Sequence, residues 1–322
     1  TMKISTKILI IAGSFILIGC IIFVCVMSAL KWDFTKLSTV ECETNVTEID
    51  EDFSDISIST ETANIVFSPS ENENCKVVCY EDVKAKHSVT VENGALVIKI
   101  DNQKSWYDYI GFNFALQKIT VYLSKTQYNK LSINGVTGNV KISKEYSFES
   151  AEISLTTGNV DFSASVSEKV KIKTTTGNVT VADNSVGSID ISVTTGTVRL
   201  SKVACKNDLK VSVTTGRMYL TDIACENISS SGSTGNIDLT NVIAKENLSV
   251  KRSTGNVKLD GIDAAEITLK TSTGNVTGSL LTNKKFVTDT STGKVDVPTG
   301  ADGGICNITT STGNIKITIK NA

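Results

Sequence analysis

Histidine is nearly missing from this chain, since His87 is the only one among its 322 residues. A single histidine excludes His-based catalytic triads and multi-histidine metal sites. The stretch "KAKHS" places lysines close to this residue in the sequence, which predicts that His87 is exposed to solvent.

Proline, aromatic residues and excess charge are also scarce. The chain has 2 prolines, 6% aromatic residues and a formal net charge of -2. Because it lacks a basic surplus, nucleic-acid binding is not expected. A compact sphere of this length would recruit more large aromatic side chains, so their shortage favours a thin, elongated body filled by Val, Ile, Leu and Thr.

What the chain has in abundance is one motif, seen for example in "KIKTTTGNVTV", Lys171 to Val181. A Thr-Gly pair recurs with its glycines 19 or 20 residues apart. These glycines are Gly138, Gly158, Gly177, Gly196, Gly216, Gly235, Gly255, Gly274, Gly293 and Gly313. A fixed period of this size predicts a repeat architecture.

Apolar and polar residues alternate on both sides of each glycine. Val170 and Ile172 precede Gly177, and Val179 and Val181 follow it. This period of two predicts strands buried on one face, and no Asn-Gly or Asp-Gly doublet joins the two arms into a hairpin. We therefore predict an all-β fold, a parallel β-solenoid of about 19–20 residues per turn, expected to be right-handed.

The repeated motif is expected to determine the fold and not to carry a function. Glycine at a corner can take a backbone shape that a side chain would resist. The asparagine after it can hydrogen-bond its own copy one turn away. The asparagines of this predicted ladder are Asn139, Asn159, Asn178, Asn236, Asn256, Asn275 and Asn314, with Thr197, Arg217 and Lys294 interrupting it.

Acidic residues do not cluster as they do in polysaccharide-cleaving β-helices. The third residue after the glycine runs Asp161, Thr180, Arg199, Tyr219, Asp238, Lys258, Thr277 and Asp296, with no adjacent acidic pair. Asp183, Lys202 and Asp222 alternate in sign one turn apart, which is typical of a solvated face. We predict no catalytic residue, no cofactor and no metal site.

The first thirty residues differ from the rest. Residues 8–30 form an uncharged apolar run long enough to cross a bilayer. We predict a cytoplasmic tail (1–7), a transmembrane helix (8–30) and a linker (31–48), with the repeats outside a single-pass cell membrane protein. The alternative is a lipoprotein, because "LIGC" resembles a cleavage box with Cys20 as the lipidated residue.

Residues 49–130 are predicted to hold a first coil and an inserted β cap, before the solenoid repeats of residues 131–322. In "ISISTETANIVF" the repeat pattern returns with Ala63 in place of the corner glycine. The strands "CKVVCY", "HSVTVENGALVIKI" and "KITVYLS" follow, with a hairpin signal at Asn93-Gly94. Such an insertion would cover the open end of the coil.

The chain resembles a bacterial β-strand-repeat family whose members are named putative adhesins, a domain family of unknown function. The resemblance rests on the N-terminal anchor, on a cap ending in "KITVYLSKTQYNKLSINGVTGNV" and on the Thr-Thr-Gly-Asn-Val repeats. The resemblance covers about residues 49–322. It departs from the family at Ser124, where members often have proline. It implies a parallel β-solenoid outside a bacterial, Gram-positive cell, and it implies no activity.

Two cysteines share one register. Cys205 and Cys225 each lie nine residues after their glycine, so they are expected to stack one turn apart, near the separation that a disulfide tolerates. Free stacked thiols are the equal alternative.

Aromatic residues crowd into "SWYDYIGFNF", which holds Trp106, Tyr107, Tyr109, Phe112 and Phe114. Packing of the cap onto the first coils is the favoured interpretation, and a glycan- or protein-binding patch is the alternative. Outward rows of hydroxyls such as Ser154 and Thr156 resemble an ice-binding face, but lysines interrupt them.

The function expected from these features is a membrane-anchored, cell-surface β-solenoid with a non-enzymatic, adhesin-like binding or structural role. Its partner would be a cell-envelope glycan or a membrane protein. The first alternative is an accessory of an envelope-stress sensing system, and a polysaccharide-active enzyme is a distant second.

Overall fold

A computed structural model describes residues 4–33, 36, 40–70, 74–109, 116–299 and 302–320. In its N-terminal part the elements are α1 (Ile4–Ala29), β1 (Cys42–Ile49), β2 (Asp55–Thr62), β3 (Asn64–Pro69), β4 (Cys75–Asp82), β5 (Ala85–Glu92), β6 (Ala95–Asn102) and β7 (Lys118–Leu123). A 3-10 helix, Trp106–Tyr109, lies between β6 and β7.

The repeats form the remaining strands of the same hydrogen-bonded sheet. These are β8 (Gln127–Thr137), β9 (Val140–Ile142), β10 (Ser147–Thr157), β11 (Val160–Phe162), β12 (Ser165–Thr176), β13 (Val179–Thr195), β14 (Val198–Cys205), β15 (Asp208–Thr215), β16 (Met218–Thr234), β17 (Ile237–Thr254), β18 (Val257–Ile262), β19 (Glu266–Thr273), β20 (Val276–Leu280), β21 (Lys285–Thr292), β22 (Val295–Asp296), β23 (Ile305–Thr312) and β24 (Ile315–Ile319).

Helix α1 is a long apolar helix that ends shortly before the linker. Between Thr6 and Ala29 it is long and apolar enough to cross a membrane, with a mean hydropathy of 3.0. Lys31 and Trp32 take positive φ values of 54° and 58°, and the Trp32 amide donates to the Met27 carbonyl at 2.8 Å. This left-handed pair terminates the helix.

Equivalent strands of successive turns pair in parallel, which confirms the predicted β-solenoid. Ile153 pairs with Ile172, and Ile172 pairs with Ile191, so identical positions stack. All three side chains are buried, and the core follows the inward positions of every turn. The period of two along each strand thus produces a continuous apolar interior.

The Thr-Gly corners bring the backbones of neighbouring turns into close contact. Gly235 has a φ of 129°, and a Cβ atom there would lie 1.8 Å from the Gly216 carbonyl oxygen. The predicted asparagine ladder runs along the same edge. The amides of Asn159 and Asn178 donate to Oδ1 of Asn139 and Asn159, each at 2.9 Å. Sequence therefore identified both components of the corner correctly.

The inserted segment pairs with the first coil through β6 and β7. Strand β2 lies between β6 and β8, and β3 lies between β7 and β9. Ala63 occupies the corner position, and its carbonyl oxygen faces Gly138. Asn93 and Gly94 take φ values of 52° and 77°, which fit the turn of the β5–β6 hairpin.

Antiparallel strands complete this cap. Strand β4 pairs antiparallel with β7 on one side and with β1 on the other, and β5 pairs antiparallel with β6. Residues 42–48 were expected to be linker, but they belong to β1 instead. The pairing with β4 explains this difference, since the polar sequence of β1 alone shows little sign of a strand.

At the C-terminal end the repeats do not stack in the order of the sequence. Strand β23 pairs with β19 on one side and β21 on the other, and β24 likewise lies between β20 and β22. The last repeat in sequence is therefore inserted beneath the preceding one, and β21–β22 form the outermost layer. Composition explains why the last repeat lies inside and the preceding one outside. Ile308 of the inserted repeat is fully buried, whereas its partner in the outer layer is the polar Thr288.

Candidate functional site

The aromatic segment between β6 and β7 is the candidate binding site. Trp106 is 76% exposed and Tyr107 is 57% exposed. Their rings meet edge to face, with centroids 6.0 Å apart. The favoured interpretation, packing onto the first coils, is therefore wrong for these two side chains. The side chain of Tyr109, together with Phe112 and Phe114, lies outside the described residues.

Two ion pairs hold the 3-10 helix that carries the aromatic pair. Asp108 accepts a hydrogen bond from the Ser105 amide at 2.9 Å and forms an ion pair with Lys84. The Lys84 ammonium, followed by the Ser105 amide, lowers the pKa of the Asp108 carboxyl. Lys104 lies 2.7 Å from the buried carboxylate of Asp82, which also accepts from the Lys84 amide at 2.9 Å. The helix is thus fixed to the β4–β5 turn.

The cap also contains a buried polar cluster, which corrects the prediction that His87 is exposed. His87 is 9% exposed, and its Nδ1 lies 2.6 Å from Glu81 Oε2. Its Nε2 lies 2.9 Å from Thr60 Oγ1, and its amide donates to Glu81 at 2.7 Å. Asn45 donates to the other oxygen of Glu81 at 2.8 Å. The cluster joins β1, β2, β4 and β5.

Cys79 completes a group whose donor atoms lie within 4.8 Å of one another, together with Glu81 and His87. Burial, and secondarily the Glu81 charge, raises the pKa of the Cys79 thiol to about 12, which disfavours the thiolate that binds metal. The Glu81–His87 separation of 2.6 Å is a hydrogen bond, shorter than the roughly 3.3 Å between two ligands of one tetrahedral zinc. The geometry is that of a hydrogen-bonded network.

A shallow groove runs along one corner of the solenoid. Asp183, Lys202, Asp222 and Asn241 occupy the same position of successive turns, with φ values between 50° and 54°. Lys202 lies 3.7 Å from Asp183, and the Asn241 amide donates to Asp222 at 2.7 Å. The predicted alternation of charge is confirmed for the first pair. The groove that these residues help to line has a volume of about 630 Å³.

Cys205 and Cys225 occupy adjacent turns in one column. Their neighbours Ala204 and Ala224 are paired directly, and both cysteines are buried free thiols. Hydrogen bonding from Cys225 lowers the pKa of Cys205, while the same contact and burial raise the pKa of Cys225. The formation of a disulfide between them stays a prediction.

Asp161 and Asp296, two acidic residues of the repeats, lie beside basic or neutral partners. Asp161 lies between Lys141 and Thr180 on neighbouring strands, and Asp296 lies 3.6 Å from Lys316. The outward hydroxyls Ser154 and Thr156 belong to a solvent-facing row. These surfaces therefore offer contact area and hydrogen-bonding groups, which suit binding.

Comparison with protein families identifies the fold as a known one. The sequence model of the Toastrack DUF4097 family matches residues 53–212 and 197–322. The chain belongs to this family. The match confirms the resemblance drawn from the cap and the repeats. A comparison with curated proteins finds no match.

Solved structures to which this chain is similar include two proteins from Parabacteroides distasonis. A putative adhesin is 13% identical and covers 87% of this chain and 98% of its own, with a TM-score of 0.46. A putative lipid binding protein is 16% identical and covers 75% of this chain and 95% of its own, with a TM-score of 0.45. At these values the likeness carries no argument about function.

The Toastrack repeats can be predicted from the sequence, whereas the polar cluster of the cap was not predicted. Glu81 and His87 flank a tight β4–β5 turn, in which Asp82 pairs with Ala85. Asn45 and Thr60 reach them from strands far away in sequence. A short turn between two strands, with an acid on one side and the histidine on the other, is the signal that could have revealed their contact.

Proposed function

We propose that this Toastrack protein is a membrane-anchored β-solenoid of the cell surface, with a non-enzymatic, adhesin-like binding or structural role. The observation that carries the proposal is the connection of α1 to the capped end of the solenoid. A helix apolar enough to cross a membrane is followed within twelve residues by β1 of the cap. The helix would fix one end of a stiff body and leave its long faces free for a partner.

Orientation follows from the few charges beside α1. Lys3 and Lys7 precede the apolar run, whereas Lys31 and Lys36 behind it are interleaved with Asp33. By the positive-inside tendency the N-terminal end is cytoplasmic and the solenoid is extracellular. Protease added to intact protoplasts should then remove the solenoid while a cytoplasmic control protein survives. Protection of both proteins would contradict this orientation.

An uncleaved helix also predicts a simple result at Cys20. Cys20→Ala should leave the protein in the membrane fraction, since α1 itself holds it there. Mass spectrometry of the unaltered membrane-bound protein separates the two alternatives, because a chain that begins at a lipid-modified Cys20 would favour the lipoprotein.

The corner groove is the candidate contact surface for an envelope partner, because its charged and amide side chains offer hydrogen bonds along several turns. Full-length protein should retain a cell-wall glycan or a membrane protein, and Lys202→Glu should weaken that retention. Lys173→Glu on the hydroxyl-bearing face is the matched control. Enrichment of a membrane protein would favour the sensing-accessory role, and retention of glycan would favour the adhesin.

A further inference from the structure

The exposed aromatic pair lies on the part of the cap where the chain arrives from α1. Cys42, the first residue of β1, is paired with Asp82, and the Val83 amide donates to the Glu41 carbonyl at 3.1 Å. Asp82 in turn holds Lys104, two residues before Trp106, at 2.7 Å. The start of β1, the β4–β5 turn and the aromatic helix therefore form one contiguous surface.

The connection from α1 to this surface is short. Helix α1 ends at Ala29 and β1 begins at Cys42, so residues 30–41 intervene. Twelve residues span at most about 40 Å even when fully extended. Trp32 is exposed just beyond the end of the apolar helix, at the level where tryptophan prefers to meet a bilayer surface. The cap cannot lie far from the membrane that α1 would cross.

Charges around the aromatic pair are largely balanced. Lys84 pairs with Asp108, Lys104 with Asp82, and Lys86 with Glu43 at 2.6 Å. Such a surface has little electrostatic preference for anionic headgroups. What it offers is two amphipathic rings held out from the protein, and Trp and Tyr rings of this kind favour the interface between headgroups and acyl chains.

We propose that Trp106 and Tyr107 insert into the interface of the bilayer crossed by α1, so that the capped end of the solenoid rests on the membrane. This proposal depends on the proposed function, because it requires α1 to span that bilayer. Its occupant is a zwitterionic lipid surface, and a glycan or protein partner would have to bind elsewhere on the solenoid. The groove and the outer β21–β22 layer would then point away from the membrane.

The two tryptophans of the chain make a direct test feasible. Full-length Trp32→Phe has Trp106 as its single tryptophan, and full-length Trp106→Phe has only Trp32. Both are placed in phosphatidylcholine nanodiscs, with or without brominated acyl chains that quench nearby indoles. We expect brominated lipid to remove most of the emission from each variant, and aqueous iodide to quench Trp106 only weakly.

A second variant separates insertion from mere proximity. In the Trp32→Phe background, Tyr107→Ser removes half of the proposed contact and should reduce quenching of Trp106 by brominated lipid. Tyr219→Ser is the matched control, because Tyr219 lies on the solenoid beside Arg199, far along the chain from α1. That control should leave the quenching unchanged.

The outcomes distinguish the two proposals. Quenching of Trp32 by brominated lipid, with Trp106 open to iodide, would overturn the membrane contact and leave the anchor standing. Failure of brominated lipid to quench either tryptophan would overturn both. Shielding of Trp106 only after cell-wall glycan is added would identify the aromatic pair as a glycan site and would also overturn this inference.

Discussion

Asn314 donates its backbone amide to Oδ1 of Asn275 at 2.7 Å, across 39 residues of sequence. The equivalent bond from Asn275 to Asn256 spans 19 residues, so one repeat has been passed over. That repeat lies outside Asn314, because the Lys294 amide donates to Asn314 Oδ1 at 2.8 Å. The ladder follows the order of the turns in space and ends on a lysine at the outer layer.

The outer layer is expected to resist self-association because its inward face is polar at Thr288 and Thr290. Thr288 and Thr290 occupy the positions that Ile308 and Thr310 occupy in the layer below, where they face the interior. Lys294 occupies the corner of the outer layer. Such features keep an open strand edge from pairing with another molecule. Thr288→Val combined with Lys294→Asn should therefore cause concentration-dependent association, measured by analytical ultracentrifugation.

Ser311→Val is the control for this experiment. It also replaces a hydroxyl with an apolar group, but on the exposed side of β23. We expect it to remain monomeric if the parent chain is monomeric. Equal association of the two variants would mean that added hydrophobicity, and not the open edge, drives self-association.

The corner glycines are expected to tolerate no side chain. Gly235→Val would place Cβ against the Gly216 carbonyl at a φ of 129°. Backbone strain and overpacking together should cost about 2–6 kcal/mol of unfolding free energy. Ser231→Ala in the same repeat should cost less than about 0.5 kcal/mol. Urea unfolding gives both values.

Hydrogen exchange tests whether the damage at Gly235 is local. Each turn contacts only its neighbours, so protection should be lost mainly in the turns next to residue 235. An even loss over the whole solenoid would contradict this nearest-neighbour behaviour.

Glu81 is expected to hold the cap together. Glu81→Ala leaves the His87 amide and His87 Nδ1 without their acceptor in a buried site, whereas Asn45 Nδ2 keeps its bond to Glu43. Leaving a buried hydrogen-bond donor without its acceptor costs about 1–3 kcal/mol. Hydrogen exchange should show β1 and β5 opening first. Glu61→Ala, which alters an exposed carboxylate bonded to Asn102, should leave their protection unchanged.

Cys205 and Cys225 are expected to form a disulfide when the folded protein meets a mild thiol oxidant. In-register parallel strands place Cα atoms about 4.8 Å apart, inside the range that a disulfide spans. Peptide mapping by mass spectrometry should find the bridge within one molecule. Cys225→Ala, which copies Ala244 of the next turn, should leave Cys205 free. Two unreacted thiols in the oxidised parent chain would rule the bridge out.

Sequence predicted those parts of the fold that arise from contacts between equivalent positions. The alternation seen around Gly177 recurs in the other repeats, and the asparagine after the glycine recurs in most of them. Both features can therefore be identified from one repeat alone. The position of the last repeat could not be read this way, because it depends on competition between two similar layers. Thr288 opposite Ile308 was the available clue.

The candidate site was less predictable because its contacts are unique. Trp106 and Tyr107 stood out by composition, but their exposure depends on ion pairs formed by Asp82 and Asp108. His87 was predicted to be exposed from neighbouring lysines, whereas the strands fold its ring inward against Glu81. The antiparallel strands of the cap do not repeat in the sequence. Their contacts therefore cannot be inferred by comparing equivalent positions, as they can for the stacked turns.

Insertion of the last repeat has a consequence for the order in which the chain can assemble. During synthesis the turns can add one after another as far as β19 and β20, in the direction in which the residues emerge. The next residues, 285–296, find their docking surface only after residues 305–319 have been made and have folded back beneath them. Chain release before that point would leave the layer of residues 285–296 without its partner, so closure of this end requires that residues 305–319 have been translated.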